Sequence, residues 1–361
     1  FKDTVTGSAA IEEGLRTVLA EAQPDLIHIQ HLMGYPLAAV KKILAEYGRP
    51  IVITLHDFWW VCANAQLITN YSQELCEGPN YHLNCGRCVV ARAQRPILAP
   101  LIPGFALLLR QRAQQLKGIL RLAIHIVTPT RFVADWYRSK LDMLTLPFAV
   151  ENGIVLPAEA ELNHPADLPN WPQEVRLENS SRPLEIAYLG GLDFQKGIGT
   201  LIEAVRPHTD QLRLHIAGSK GREPTFAEST LANLPPNAVY HGRLDRRQIW
   251  HLLQKADILA VPSLWYETFG LVVSEAFAVG TPPVVSNLGA LAERVEHMVD
   301  GITCPPGDQY AWQKMLLHLA NRRALLEKMR KQRRQVTSID AHREAIMRIY
   351  QRPPTKYFPN N

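Results

Sequence analysis

Residues 258–287, ILAVPSLWYETFGLVVSEAFAVGTPPVVSN, constrain this chain more than any other stretch. An apolar run, Ile258 to Val261, leads into a loop carrying Glu267. Gly270 then opens a helical pattern that Gly280 closes, and Pro282 and Pro283 introduce a second apolar run. The order is strand, loop, helix, strand, the unit from which parallel α/β layers are built. A helix that starts at Gly270, Leu271 and Val272 presents free N–H groups and the positive end of its dipole, which suits a phosphate or diphosphate. Glu267 lies just outside that anion site and Glu275 lies eight residues on, roughly two turns by helical geometry. Carboxylates do not favour phosphate, so the pair must address something joined to it, and carboxylates accept hydrogen bonds from the hydroxyls of a sugar or ribose. The implied ligand is a sugar nucleotide. Two glutamates at this spacing also fit an amphipathic helix with a solvated face; the surrounding strand, loop and turn favour the ligand-binding reading.

The segment Glu267-Thr-Phe-Gly-Leu-Val-Val-Ser-Glu275 resembles the E-x7-E signature of retaining glycosyltransferases of family 4, which have the GT-B fold, and the following Gly280-Thr-Pro-Pro-Val-Val-Ser286 resembles that family's G-x-P-V-V segment. The resemblance implies that Glu267 contacts the donor sugar and Glu275 the nucleotide ribose. It also implies that amides between them, at Phe269, Gly270, Leu271 and Val272, hold the diphosphate. A second stretch, Tyr188-Leu-Gly-Gly-Leu-Asp-Phe-Gln-Lys-Gly197, is a strand followed by glycines that let the backbone approach a phosphate and by a lysine point charge. It resembles the family's G-R-x4-K-G, with Gly190 in place and Gly191 where most members carry a diphosphate-binding arginine. Lys196 is then left to neutralise more of the leaving group. Gly218 and Ser219 are expected to approach the nucleotide, and Arg243 to compensate for Gly191 or contact the base.

At 361 residues, with 47% hydrophobic and 20% charged, the chain is long enough for two globular domains. No apolar run is long enough to span a bilayer, and no basic region followed by an apolar core and cleavage site opens the chain, so the expected location is the cytoplasm. The net charge of +5 permits anionic donors or a lipid surface and gives no reason to expect nucleic acid.

The first half alternates strand and helix more loosely: apolar runs at 25–30, 50–56, 124–128 and 144–148 read as parallel strands, with a helical stretch over 37–47. A helical pattern at 11–22 precedes the first of them, and Phe1 is not a start residue, so the expectation is an N-terminal domain entered part-way. His56 closes the second run, and ligands in open α/β sheets bind at the carboxyl ends of strands. In the family a histidine at the matching place often lies beside the donor sugar and phosphates, which makes His56 a catalytic candidate. A capping or core histidine is the plainer alternative. Asp57 either orients His56 or caps the next turn, and Phe58, Trp59 and Trp60 are core or acceptor wall.

Cys62, Cys76, Cys85 and Cys88 cluster in the loop that follows. The Cys85-Gly-Arg-Cys88 spacing suits a structural zinc, with His82 as a competing ligand and free buried thiols as the alternative. From Gly78 to Ala134 there is no Asp or Glu, while eight Arg and Lys residues alternate with Leu, Ile and Pro. Such a segment, with its helical stretch over 107–122, either lies on an anionic membrane surface or packs on the domain with a solvated basic face.

These readings divide the chain into an N-terminal Rossmann-like acceptor domain over 1–155, containing the Cys-rich loop 62–88 and the basic segment 89–123, and a linker over 156–183. A C-terminal Rossmann-like donor domain follows over 184–335, and a helix and tail over 336–361 cross back. The resemblance implies an enzyme that moves a sugar from a nucleotide-sugar donor to an acceptor hydroxyl, on a sugar or a lipid-linked molecule, with retention and without a catalytic metal. The rivals are a sugar-nucleotide epimerase of the same double-Rossmann architecture and a silent nucleotide-binding homologue.

Overall fold

The computed structural model describes residues 9–163, 166–171, 182–221 and 224–359. It divides into two compact units, residues 1–151 with 343–361, and residues 152–342.

The first unit holds four parallel strands, β1 (Ile27–Ile29), β2 (Ile51–Thr54), β3 (His125–Thr128) and β4 (Phe148–Ala149), in spatial order β1-β2-β3-β4. β2 and β3 are buried along their whole length, as parallel strands covered on both faces must be. The run at 144–148 is corrected: only its last residue is in β4, because Leu144 donates its N–H to Tyr357 of the C-terminal tail and not to a strand. That tail belongs to this unit. Ile349 packs with Val52 and Val127, Thr355 donates to Ile124, and Tyr357 and Phe358 are buried.

The second unit is a six-stranded parallel sheet: β5 (Leu184–Leu189), β6 (Leu212–Ala217), β7 (Ala238–Gly242), β8 (Ile258–Val261), β9 (Pro283–Ser286) and β10 (Ile302–Cys304), in order β10-β9-β8-β5-β6-β7. Alternation along the strands makes two cores. Ile186, Leu214, Ile258 and Val284 face one layer of helices; Ala187, Ala217, Leu259 and Val285 face the other. Sequence order runs outward from β5 through β6 to β7, then jumps back to β8 and runs the other way. Between β5 and β8 the crossovers therefore diverge, leaving a crevice at the carboxyl ends of these two strands.

The expected linker is partly built into this unit. Glu159–Asn163 is a helix, and Trp171 stacks on the buried His215 at a centroid distance of 4.0 Å with its plane tilted by 9°. Asn170 donates to Tyr240 O at 3.2 Å. Residues 172–181 lie outside the described residues. The C-terminal helical region is three helices, Gln309–Asn321, Arg323–Lys331 and Ile339–Tyr350. Its basic run turns inward in part: Arg334 pairs with Asp300 at 3.7 Å, and Arg330 reaches the carbonyls of Ala256 and Asp257 at 3.4 Å.

Candidate donor-binding site

Two loops leave the crevice side by side, residues 190–196 after β5 and 262–270 after β8. Leu264 donates its N–H to Gln195 O at 2.9 Å, and Gly197, at φ +72°, comes so close that a Cβ there would lie 1.8 Å from Pro262 O. Only glycine permits both the left-handed backbone and that approach. The loop after β6 is added in the same way: Leu192 donates to Ser219 O at 3.0 Å, and a Cβ on Gly218, at φ +150°, would lie 1.9 Å from Gly190 O. Gly190, Gly191, Lys196, Gly218, Ser219 and Glu267 are thus gathered at one end of one sheet.

The centre of the site is Glu267. Lys196 Nζ donates to its Oε1 at 2.7 Å, Ser263 Oγ to the same oxygen at 3.0 Å, and Trp265 Nε1 at 2.9 Å. The Glu267 side chain is 13% exposed and that of Lys196 is 30%, and the ammonium also lies 4.8 Å from the centroid of the Trp265 ring. A lysine so placed keeps donors to spare for an anionic ligand.

The helix Leu271–Val279 begins where the sequence places it, with Gly270 at φ +76° as N-cap and Gly280 at φ +82° as C-cap, and among the described residues no side-chain cap bond is made at Gly270. The entry is locked by a residue 24 positions away: Arg294, buried, donates to Phe269 O and Gly270 O at 3.0 Å each and to Ser274 Oγ at 2.7 Å, with its guanidinium 3.7 Å from the Phe269 centroid. The side chain of Phe269 is therefore packing, and what the 269–272 stretch can offer a ligand is backbone. Glu267 stands in the loop, where the sequence reading has it, and Glu275 lies in the second turn of the helix. Burial raises the pKa of Glu275, against the lowering influence of Arg246.

Gly191 has ordinary backbone, and the one tight approach to a Cβ there would be the tip of the Asp193 carboxylate, at 2.7 Å. Ser219 is exposed, with its Oγ accepting from Gly221 N at 3.4 Å, and Arg243 is exposed just past β7. Sequence reading misses Ser263, Trp265 and Arg294. A tryptophan in a polar loop is a usable signal, since a buried indole N–H seeks a partner. Arg294 offers none.

In the first unit His56 lies past the end of β2, with Nε2 2.6 Å from Gln30 Oε1. Asp57 caps the next turn, accepting from Trp59 N at 2.8 Å. Phe58, Trp59 and Trp60 are at most 3% exposed and form core. Arg112, far from being a surface cation, is buried against the Trp59 ring and donates to Trp59 O at 2.7 Å.

The four thiols are gathered by a hairpin, in which Cys76 N donates to Leu67 O, and by the helix Leu83–Ala93, which carries Cys85 and Cys88. Three of the four sulfurs rest on an amide or carbonyl: Cys76 on Gly78 O and Asn84 Nδ2, Cys85 on Asn84 Oδ1, and Cys88 on Asn70 N. Among the described residues no three His, Cys, Asp or Glu side chains stand where they could share a metal ion. Burial, then the neighbouring thiols, pushes the Cys85 thiol up to about 12.

Residues 171–336 match the family of glycosyl transferases group 1. The glycogen synthase of Mycobacterium tuberculosis is 35% identical over 147 residues, 39% of this chain and 35% of that protein. The phosphatidyl-myo-inositol mannosyltransferase of Mycobacterium leprae is 29% identical over 147 residues, 40% of this chain and 39% of that one. The chain thus matches little more than a third of the length of these relatives. Among solved structures, Anabaena Alr3699/HepE in complex with UDP-glucose aligns over 94% of this chain and 81% of its own, with a TM-score of 0.64 at 15% identity. At that identity the likeness is one of fold, and the two parallel α/β units are those of the GT-B class.

Proposed function

We propose that the chain is a glycosyltransferase that moves a sugar from a nucleotide-sugar donor to an acceptor hydroxyl with retention of configuration. The observation that carries the reading is the Lys196–Glu267 pair at the β5/β8 crevice, beside the N-terminus of the 271–279 helix. In this reading the helix amides and Lys196 stabilise the leaving diphosphate as its charge develops, an electrostatic role preorganised by the fold. Glu267 accepts from the donor sugar and Glu275 from the ribose. That a fold neighbour was solved with UDP-glucose supports a nucleotide-sugar donor.

The acceptor is a growing polysaccharide or a lipid-linked sugar. The first unit supports a site on the inner face of a membrane: Ile97, Leu101 and Leu107 are 84%, 54% and 58% exposed within the acid-free segment that also exposes Arg92, Arg95 and Arg110. Among the described residues no helix is long and apolar enough to cross one.

A silent nucleotide-binding homologue is the second reading, favoured by Gly191. Incubation with UDP-glucose, ADP-glucose and GDP-mannose, each with and without a saccharide acceptor, separates them. Acceptor-dependent release of nucleoside diphosphate with an α-linked product from an α-linked donor is the expected result; tight binding without release marks the silent homologue.

A further inference from the structure

All three donors around Glu267 converge on one oxygen. Lys196 Nζ, Ser263 Oγ and Trp265 Nε1 reach Oε1 at 2.7, 3.0 and 2.9 Å, and among the described residues none donates to Oε2. A carboxylate offers about four lone-pair directions across its two oxygens. Three donors on Oε1 fill that oxygen's share and fix the carboxylate plane.

Each donor is itself held. Ser263 is buried at 1% exposure, directly after Pro262, whose carbonyl abuts Gly197. Trp265 is clamped between its indole hydrogen bond and the ammonium over its ring at 4.8 Å. Lys196 sits at the end of a short 3-10 turn, Phe194–Lys196, whose carbonyl at Gln195 accepts from Leu264 N. The two loops thus brace one another across the carboxylate. A group fixed in this way by its neighbours is what precise substrate positioning requires.

We propose that Ser263 and Trp265 are positioning residues that present Glu267 to the donor through Oε2 alone, so that this carboxylate reads a single sugar hydroxyl and not a vicinal pair. The inference rests on the reading of Glu267 as a sugar contact and adds to it which neighbours set the contact and how many hydroxyls it serves. Two consequences follow. A site built around one hydrogen bond rejects the analogue that lacks that hydroxyl and tolerates loss of the others. Removing the indole N–H frees Oε1 to swing, so discrimination blurs while nucleotide affinity stays.

The test uses calorimetric titration of the full chain with UDP, UDP-glucose and the four monodeoxy analogues of UDP-glucose, repeated with ADP, ADP-glucose and the corresponding analogues. For the wild type, one deoxy analogue is expected to lose about tenfold or more in affinity and the other three much less. In Trp265→Phe the penalty for that analogue should shrink several-fold, with the affinity for free UDP or ADP unchanged; a merely structural role would move both. Ser263→Ala, which keeps the ring and the fold, is expected to act in the same direction more weakly, and circular dichroism confirms that both variants are folded. Two deoxy analogues penalised alike would overturn the single-hydroxyl inference. A wild type with a clear single penalty that Trp265→Phe and Ser263→Ala both retain would overturn the positioning roles and leave the sugar contact standing. A wild type that binds the nucleoside diphosphate but ignores the sugar would instead sink the sugar-contact reading, and the inference with it.

Discussion

The crevice at β5 and β8 and the Cys-rich loop of the first unit hold the same kind of promise in sequence, a cluster of reactive side chains at close spacing, and they fold to different ends. Around Glu267 every side chain of interest is tied to another of the cluster: Lys196, Ser263 and Trp265 to one carboxylate oxygen, and Arg294 to the helix entry behind them. In the loop, each of Cys76, Cys85 and Cys88 is tied to a nearby amide or carbonyl instead. The difference is the scaffold. Two adjacent parallel strands of a covered sheet deliver the Glu267 loops, whereas the thiols hang on a short hairpin and the start of one helix, with left-handed backbone at Ala65, Leu67, Gln73, Tyr81 and His82. Convergence is inexpensive where strand ends supply it, and has to come from side-chain rotation where they do not.

The sharpest way to break the braced side is Gly197→Ala. The methyl would lie 1.8 Å from Pro262 O on a backbone at φ +72°, which should cost about 3 kcal/mol or more and spoil the site. Gly199→Ala, with nothing within 4 Å of its new methyl and a helical position, is the control and should be neutral or stabilising in urea unfolding.

Somewhat smaller is the effect of the ion-pair cluster that roots β5 and β8. Asp257 accepts from Arg182 at 2.7 and 2.8 Å, from Arg323, and from Glu185 N at 2.9 Å. Burial alone would raise its pKa, but these partners outweigh burial and hold it below the ordinary aspartate value. A folded-state value below the unfolded one means that the stabilisation is present above the unfolded pKa and is lost as pH falls through the lowered value. Asp257→Asn should therefore cost about 1–3 kcal/mol at neutral pH, and the gap between variant and wild type should close in strongly acid solution. A gap independent of pH would contradict the assignment.

The smallest effect belongs to the thiols. With the Cys85 sulfur on a local partner, Asn84 Oδ1, Cys85→Ser should change stability by about 1 kcal/mol or less. All four loop cysteines should alkylate without chelator, Cys85 last because its thiol is held up at about 12. One tightly bound zinc per chain, with Zn–S distances of about 2.3 Å, would overturn this and place the loop level with the crevice.

The second unit is legible in sequence because its strands are apolar runs bounded by glycine and proline: the apolar run 258–261, Gly270 and Gly280 mark a strand, an N-cap and a C-cap that the structure repeats. The two motif loops are legible for the same reason, since they follow strands. What stays hidden is whatever depends on side chains meeting across the fold. Arg294 reaches Gly270 from 24 residues away, and nothing local to either residue announces it. The run at 144–148 looks like a strand by composition, yet the tail residue Tyr357 takes the N–H of Leu144, a competition visible only after 213 residues of chain have folded back. The stretch 156–183 reads as linker from its Pro and Asn content, while Trp171, lying against buried His215, gives the packing that composition does not weigh.

The most direct test of the donor site is calorimetric titration of UDP and ADP into the wild type and Glu275→Ala. If Glu275 accepts from the ribose, one of the two nucleotides should bind the wild type, and the substitution should weaken that binding by about 1.5–3 kcal/mol, roughly 10- to 150-fold. Because burial raises the Glu275 pKa, the wild-type affinity should also begin to fall at a pH above the ordinary carboxylate range, and Glu275→Ala should lack that step. Equal affinity in the two proteins would contradict the placement of the nucleotide between Glu267 and Glu275.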